Sequence, residues 1–107
     1  NELDGRRCCM LAHHVLRTRS PAGLVIHHDA LRLPPLCGEF DRVLCDVPCS
    51  GDGTIRKAPQ LLAGWRPNRP SVLHGLQLRI ARAGAARLAP GGRMVYSTCS
   101  MSPVEDE

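Results

Sequence analysis

The chain has 107 residues, of which 43% are hydrophobic and 22% are charged, so one small globular domain is the upper limit and a disordered chain is excluded. No apolar run approaches the ~20 residues that span a bilayer, and residues 1–7 are polar rather than typical of a signal peptide. The net charge is +4 and 13 of the 14 cationic residues are arginine, which is consistent with a nucleic-acid partner, although a GC-rich coding bias explains the arginines equally well.

The first half of the chain carries signals for one helix and two strands. Apolar side chains recur among polar ones over residues 6–17, which predicts a short helix. The apolar run 24–26 predicts a buried strand with Asp29 at its polar exit. A second strand is predicted over residues 40–46, just before Pro48.

The second half begins with a long stretch rich in proline and glycine. Residues 48–70 are predicted to form a loop, and loops of this length in a compact domain are usually functional. Ser71 is the predicted N-cap of a helix that runs to about Leu88. The apolar face of this helix is formed by Leu73, Leu76, Ile80 and Ala83. Residues 90–92 are predicted to stop it, and residues 93–97 to form a third strand. This alternation of strands and helices predicts an α/β fold with a mostly parallel sheet, whose ligands bind at the carboxyl ends of the strands.

The six cysteines fit neither a disulfide scaffold nor a metal site. The chain has no C-x2-C pair, and its histidines occur as adjacent doublets rather than four residues apart on a helix. We therefore expect no bound metal and reduced thiols, with a zinc-binding module as the alternative to be tested by metal analysis. Four of the cysteines are expected to be small buried hydrophobic residues: Cys8, Cys9, Cys37 and Cys45.

The remaining two cysteines follow the ends of predicted strands, 50 residues apart. Asp46 and Cys49 follow the second strand, and Cys99 follows the third. If these strands are neighbours, both cysteines face one crevice. A cysteine beside a carboxylate is chemically useful, because a thiolate adds to an electrophilic carbon while an acid protonates the developing anion. The alternative is that both cysteines only pack.

Three motifs in this order resemble those of the Sun-domain RNA cytosine-5 methyltransferases. They occupy residues 46–54, 96–100 and 103–107, and the resemblance covers essentially the whole chain. Residues 53–57 and 74–81 are most similar to the eukaryotic tRNA branch of that family. The resemblance implies a partial Rossmann-like methyltransferase fold that uses S-adenosylmethionine. It also implies RNA, in particular tRNA, as the substrate and 5-methylcytosine as the product.

The resemblance also implies roles for three residues. Cys99 is expected to be the nucleophile that adds to carbon 6 of cytosine, because an unactivated carbon 5 is a poor nucleophile. Asp46 is expected to hydrogen-bond the base near ring nitrogen 3, which requires a protonated carboxyl. Cys49 is expected to assist loss of the carbon 5 proton and release of the product. Physical chemistry alone does not choose between the two cysteines as nucleophile.

Further residues match the family's binding sites. Glu2, with Asp4 as the neighbour it is easily confused with, is expected to bind the ribose hydroxyls of the cofactor. Asp29 is expected to lie near the adenine, and Asp46 to border the cofactor as well as the base. Arg56 and Lys57 are candidates for RNA contact, with exposed loop cations as the alternative.

The glycine-rich first motif of the family and its last sheet strands have no counterpart in residues 1–107. We therefore expect the chain to be the central part of a single methyltransferase domain that neither binds the cofactor tightly nor methylates RNA by itself. A non-catalytic RNA-binding or scaffold fragment of the same fold is the alternative. The subfamily resemblance implies an intracellular protein of the nucleus or nucleolus, with the cytoplasm as the other compartment.

Overall fold

The computed structural model describes residues 1–21, 23–35 and 39–106. The chain divides into two compact units, residues 1–37 and 38–107. None of the helices in the described ranges is long and apolar enough to cross a membrane. The elements in chain order are α1 (Gly5–Arg17), a 3₁₀ turn (Ala30–Arg32), β1 (Phe40–Asp46), a second 3₁₀ turn (Asp52–Thr54), α2 (Leu61–Gly64), α3 (Arg69–Ala85), β2 (Leu88–Ser97) and α4 (Pro103–Asp106).

Helix α1 is the longest element of the first unit. It begins at Gly5 because the Asp4 carboxylate accepts a hydrogen bond of 2.9 Å from the backbone N–H of Arg7, which would otherwise have no partner in the helix. At the other end the Thr18 hydroxyl donates to the Val15 carbonyl at 2.7 Å, and helical bonding stops. The helix predicted over residues 6–17 is therefore confirmed to within one residue.

The strand predicted at residues 24–26 is wrong. These residues form no strand, and only an isolated parallel bridge joins Glu2 to His27. The Glu2 N–H donates to the Ile26 carbonyl at 3.0 Å, and the Asn1 side chain donates to the His28 carbonyl at 3.0 Å. Leu24 is 75% exposed, so the apolar run is not buried on both faces as a central strand requires.

The second unit is built on two neighbouring parallel strands. β1 pairs with β2 in a register that ends with Asp46 opposite Ser97, and α3 connects the strands and packs on both. Cys45 and Val47 are the buried hydrophobic side chains of the described residues. The predicted α/β fold with a parallel sheet is confirmed, and the helix crossover is the connection that parallel strands need.

Helix α3 begins earlier than the sequence suggested. Its N-cap is Asn68 rather than Ser71, and the Asn68 side chain makes no capping hydrogen bond. Pro70 lies in the first turn of the helix, where a residue without an N–H removes no helical hydrogen bond. The proline therefore starts the helix, whereas the sequence analysis took it as the residue before the start.

Strand β2 also begins earlier than predicted. The helix ends at Ala85, and residues 90–92 lie inside β2 instead of stopping the helix. The pairing with β1 is interrupted there, because Phe40 faces Leu88 while Arg42 faces Arg93. Gly91 has φ +79°, a conformation that favours glycine. The predicted helix stop is thus an irregularity within the strand.

The long loop and the cysteines require smaller corrections. Residues 48–70 contain the second 3₁₀ turn and the single turn of α2, so they are not wholly irregular. Among the cysteines expected to be buried, Cys45 is buried, Cys8 is half-buried and Cys9 is exposed, whereas Cys37 lies outside the described residues. Cys9 lies on a helix with no buried residue, which explains its exposure.

Two glycines of α3 provide a matched pair of substitutions. A Cβ atom on Gly84 would lie 2.6 Å from the Cys45 Sγ and 3.3 Å from a Val43 methyl, whereas a Cβ on Gly75 meets no atom within 4 Å. We expect Gly84→Ala to lower the free energy of unfolding by about 1–3 kcal/mol through overpacking. Gly75→Ala should raise it by about 0.5–1 kcal/mol, because alanine is the better helix former. Urea denaturation of the full-length protein measures both, and equal effects would contradict this packing.

Candidate active site

Two cysteines meet where the paired strands end. The Val47 N–H donates to the Ser97 carbonyl at 3.1 Å, which extends the sheet pairing one residue beyond Asp46. The chain then leads within two residues on each side to Cys49 and Cys99, whose Sγ atoms lie 3.2 Å apart at hydrogen-bonding distance for thiols. The Cys99 N–H also donates to the Cys49 Sγ at 3.3 Å. Parallel pairing thus places both candidate sulfur atoms at one point.

This contact changes the acidity of Cys99. The hydrogen bond to Cys49 raises the pKa of Cys99 most, and burial and the negative charge of Asp46 raise it further. Asp46 ends β1 with an exposed side chain opposite Ser97, so all three predicted catalytic residues lie at the same end of the paired strands.

The loop at residues 51–54, called the glycine loop because it contains Gly51 and Gly53, packs directly against Cys99. The Gly53 N–H donates to the Cys99 carbonyl at 3.0 Å, and a Cβ on Gly53 would lie only 2.8 Å from that oxygen. The neighbouring Asp52 carboxylate accepts a hydrogen bond of 2.8 Å from the Met101 N–H. Burial raises the pKa of Asp52, but this bond and others from hydroxyl and backbone groups outweigh burial and leave the pKa lowered. The loop is therefore fixed to the strand end that carries Cys99.

A buried carboxylate joins the segments that carry the cysteines. Glu105 is 2% exposed, and its Oε1 accepts hydrogen bonds from the Ser50 N–H at 2.9 Å and the Gln77 amide at 2.8 Å. Its Oε2 accepts hydrogen bonds from the hydroxyls of Ser50 and Ser100. The Gln77 amide also donates to the Pro48 carbonyl at 2.9 Å. Four donors therefore converge on one carboxylate from three separate parts of the second unit.

The ionised form of Glu105 is the one that these donors stabilise. Burial raises the pKa of Glu105, but the hydrogen bonds from Ser100, Ser50 and Gln77 outweigh burial and hold the pKa below its ordinary value. Neither Glu105 nor Gln77 is among the functional residues predicted from the sequence. Glu105 lies within the third motif, but only the folded chain shows that its carboxylate is buried among donors.

The two carboxylates predicted to bind the cofactor lie in the first unit. Glu2 is half-buried, and its oxygens accept from the Asp4 N–H at 3.0 Å and from the Arg7 guanidinium at 3.0 Å. Asp29 is also half-buried, and one of its oxygens accepts from the Leu31 N–H at 2.9 Å. The bridge between Glu2 and His27 aligns the segments that carry them. Carboxylate oxygens are the acceptors that ribose hydroxyls and an adenine amino group require, so this pair fits the cofactor.

The predicted RNA-contacting cations lie beyond the glycine loop. Arg56 and Lys57 are both exposed, in the turn that follows the second 3₁₀ turn.

Within residues 1–21, 23–35 and 39–106, no group of three or more His, Cys, Asp or Glu side chains is arranged to hold a metal ion.

Comparison with known proteins identifies the family. The family model for 16S rRNA methyltransferase RsmB/F matches residues 1–107. The chain belongs to this family. It is 47% identical to a tRNA (cytosine(34)-C(5))-methyltransferase of Drosophila melanogaster and 42% identical to a multisite-specific tRNA:(cytosine-C(5))-methyltransferase of Saccharomyces cerevisiae, in both cases over 100% of the chain. The predicted resemblance to the Sun-domain enzymes and their eukaryotic tRNA branch is thereby confirmed.

A solved structure supports the fold. The crystal structure of PH0851 superposes with a TM-score of 0.88 and is 33% identical, covering 97% of this chain and 24% of that one. The chain spans only 16% of the length of the Drosophila relative and 17% of the length of the yeast relative.

The thiol contact predicts how the reactivity of Cys99 depends on Cys49. Cys49→Ala removes the group that raises the pKa of Cys99 most, so the pKa should fall toward its ordinary value. We expect iodoacetamide to alkylate Cys99 severalfold faster near neutral pH in this variant, as measured by peptide mass spectrometry. Cys9→Ala, which removes an exposed thiol on α1, is the control and should leave the rate unchanged.

The Glu105 carboxylate predicts a loss of stability in acid. Its pKa is lowered in the folded protein, so its contribution is present above the unfolded pKa of about 4.3 and is lost as pH falls toward the folded value. We expect Glu105→Gln to cost about 2 kcal/mol or more at pH 7 and to flatten the acid limb. Urea denaturation midpoints measured from about pH 3 to about pH 7, a range that includes the titration of glutamate, give this pH dependence of stability. Glu39→Gln, at an exposed carboxylate, is the control.

Proposed function

We propose that the protein is an S-adenosylmethionine-dependent RNA methyltransferase that forms 5-methylcytosine, in particular in tRNA, through a covalent adduct between Cys99 and the base. The observation that carries the proposal is the meeting of Cys49 and Cys99 beside Asp46, at the carboxyl ends of two parallel strands. Ligands of open α/β sheets bind at this edge. The names of the relatives support cytosine carbon 5 as the position and tRNA as the substrate.

Cys99 has the access that a nucleophile needs. It is exposed whereas Cys49 is half-buried, so a base that enters the site reaches the Cys99 sulfur first. The Cys99 thiolate forms a bond to carbon 6 of cytosine, and the electron pair of the carbon 5–carbon 6 double bond makes carbon 5 nucleophilic. When bound, S-adenosylmethionine supplies the methyl group that carbon 5 accepts while the adduct stands.

Asp46 and Cys99 require opposite proton movements. Asp46 needs a proton to hydrogen-bond ring nitrogen 3 of the base, and Cys99 must lose one to attack. The charge of Asp46 raises the pKa of Cys99, so protonation of Asp46 removes one of the effects that oppose ionisation of Cys99.

Cys49 acts in the second half of the reaction. Its thiol first gives its own proton to water, and the resulting thiolate accepts the proton that leaves carbon 5 after methylation; the bond between Cys99 and carbon 6 then breaks. This step restores the double bond of the base and the Cys99 thiolate. The distance of 3.2 Å between the two sulfur atoms places Cys49 beside an adduct formed at Cys99.

The binding groups complete the proposal. Glu2 and Asp29 would hold the ribose and adenine of the cofactor through their carboxylate oxygens. Arg56 and Lys57, exposed beyond the glycine loop, would contact the phosphates of the RNA. The nuclear or nucleolar location stays a prediction from the subfamily.

Covalent trapping tests the proposal. We expect the full-length protein to form a denaturation-resistant adduct with tRNA that contains 5-azacytosine, because this base blocks release once carbon 6 is bound. Cys99→Ala should abolish the adduct. Cys49→Ala should instead accumulate an adduct on ordinary tRNA, since release is slowed. Gel electrophoresis under denaturing conditions measures all three.

The outcomes separate the alternatives. An adduct that survives Cys99→Ala but disappears in Cys49→Ala would reverse the roles of the two cysteines. Binding of tRNA without any adduct or 5-methylcytosine would favour a non-catalytic RNA-binding protein. Cys45→Ala, which changes a buried cysteine of β1, controls for general effects of losing a thiol.

A further inference from the structure

Each candidate catalytic cysteine is followed directly by a serine that binds the same carboxylate. Ser50 follows Cys49 and Ser100 follows Cys99, and both hydroxyls donate to the Oε2 of Glu105. The two backbone segments that carry the sulfur atoms are thus connected through one atom of Glu105, and also directly, because the two hydroxyl oxygens lie 3.0 Å apart. The sheet ends at Asp46 and Ser97, so strand pairing alone does not hold the cysteines beyond it.

The carboxylate is itself held in place from several directions. The Glu105 carbonyl accepts a hydrogen bond of 3.0 Å from the Tyr96 hydroxyl of β2. The preceding Val104 carbonyl lies 2.9 Å from the His74 ring nitrogen of α3. Gln77, one turn further along α3, binds the carboxylate. Because α3 and β2 both contact the short helix α4, Glu105 is a fixed point against which the two segments are positioned.

We infer that Glu105 is a positioning residue of the proposed reaction: through Ser50 and Ser100 it sets the separation of Cys49 and Cys99. The inference rests on the proposed function for its catalytic consequence. An attacking atom must be placed within a few tenths of an ångström, and a displacement of about 1 Å can cost about a hundredfold in rate. A connection of one serine to each cysteine provides that placement.

The connection is stronger on one side than on the other. Ser50 binds Glu105 through both its N–H and its hydroxyl, whereas Ser100 binds it through the hydroxyl alone. Ser50→Ala therefore leaves one hydrogen bond in place, but Ser100→Ala removes the direct link between Cys99 and the carboxylate. The effect of Ser100→Ala on the reaction should exceed that of Ser50→Ala.

The test compares Ser100→Ala with a neighbouring serine in the full-length protein. We expect Ser100→Ala to lower kcat for tRNA methylation by about tenfold or more with KM unchanged, and to slow adduct formation with 5-azacytosine tRNA to the same degree. Ser102→Ala is the matched control, since its hydroxyl makes no hydrogen bond with the described residues. Glu105→Gln should lower kcat in the same way as Ser100→Ala. If Glu105→Gln does not fold, the result for Ser100→Ala decides the test.

A second measurement does not depend on methylation. If Glu105 sets the distance between the sulfur atoms, Ser100→Ala separates them and shifts the pH profile of Cys99 alkylation toward that of an ordinary cysteine. A folded Ser100→Ala protein with wild-type kcat and wild-type alkylation profile would overturn the inference. Absence of methylation and adduct in the wild-type protein, together with a shifted alkylation profile in Ser100→Ala, would overturn the proposed function and leave the positioning role standing.

Discussion

The arrangement of the site depends on one buried negative charge. Glu105 has no cationic partner among the described residues and is stabilised instead by four hydrogen bonds from serine and amide groups. A carboxylate buried without such donors would be protonated, and one left unpaired is costly. Three of the four donors, from Ser50 and Ser100, lie on the segments that carry the cysteines, so the same bonds that make the charge tolerable also fix the geometry of the site.

The parallel pairing of β1 and β2 provides the other half of the arrangement. It brings together residues 50 positions apart in sequence by setting Asp46 opposite Ser97, and no local interaction within either segment does so. Beyond the last residue pair, Asp46 and Ser97, the strands are no longer paired. Side-chain hydrogen bonds take over there, and the glycine at position 53 allows its loop to approach the Cys99 carbonyl closely.

The sequence predicts the sheet and the sulfur pair well, because both follow from apolar periodicity and strand order. It predicts the ends of elements less well. Pro70 and residues 90–92 suggested breaks, but a proline is tolerated in a first helical turn and glycines are tolerated in an irregular strand. Residues 24–26 have the apolar sequence of a buried strand, but they form no strand and Leu24 is exposed. The role of Glu105 is not predictable from spacing, because its donors lie as far away as Ser50.

The close approach of Gly84 to Cys45 has a consequence at a distance. Gly84 and Gln77 are seven residues apart on α3, which corresponds to two turns and about 10 Å of rise, so they lie on the same face of the helix. The helix therefore links the two contacts. The close approach of Gly84 to Cys45 fixes the position of α3 against β1, and this position in turn places the Gln77 amide at the Glu105 carboxylate. A substitution at Gly84 would therefore change the alignment of the site as well as the stability of the unit.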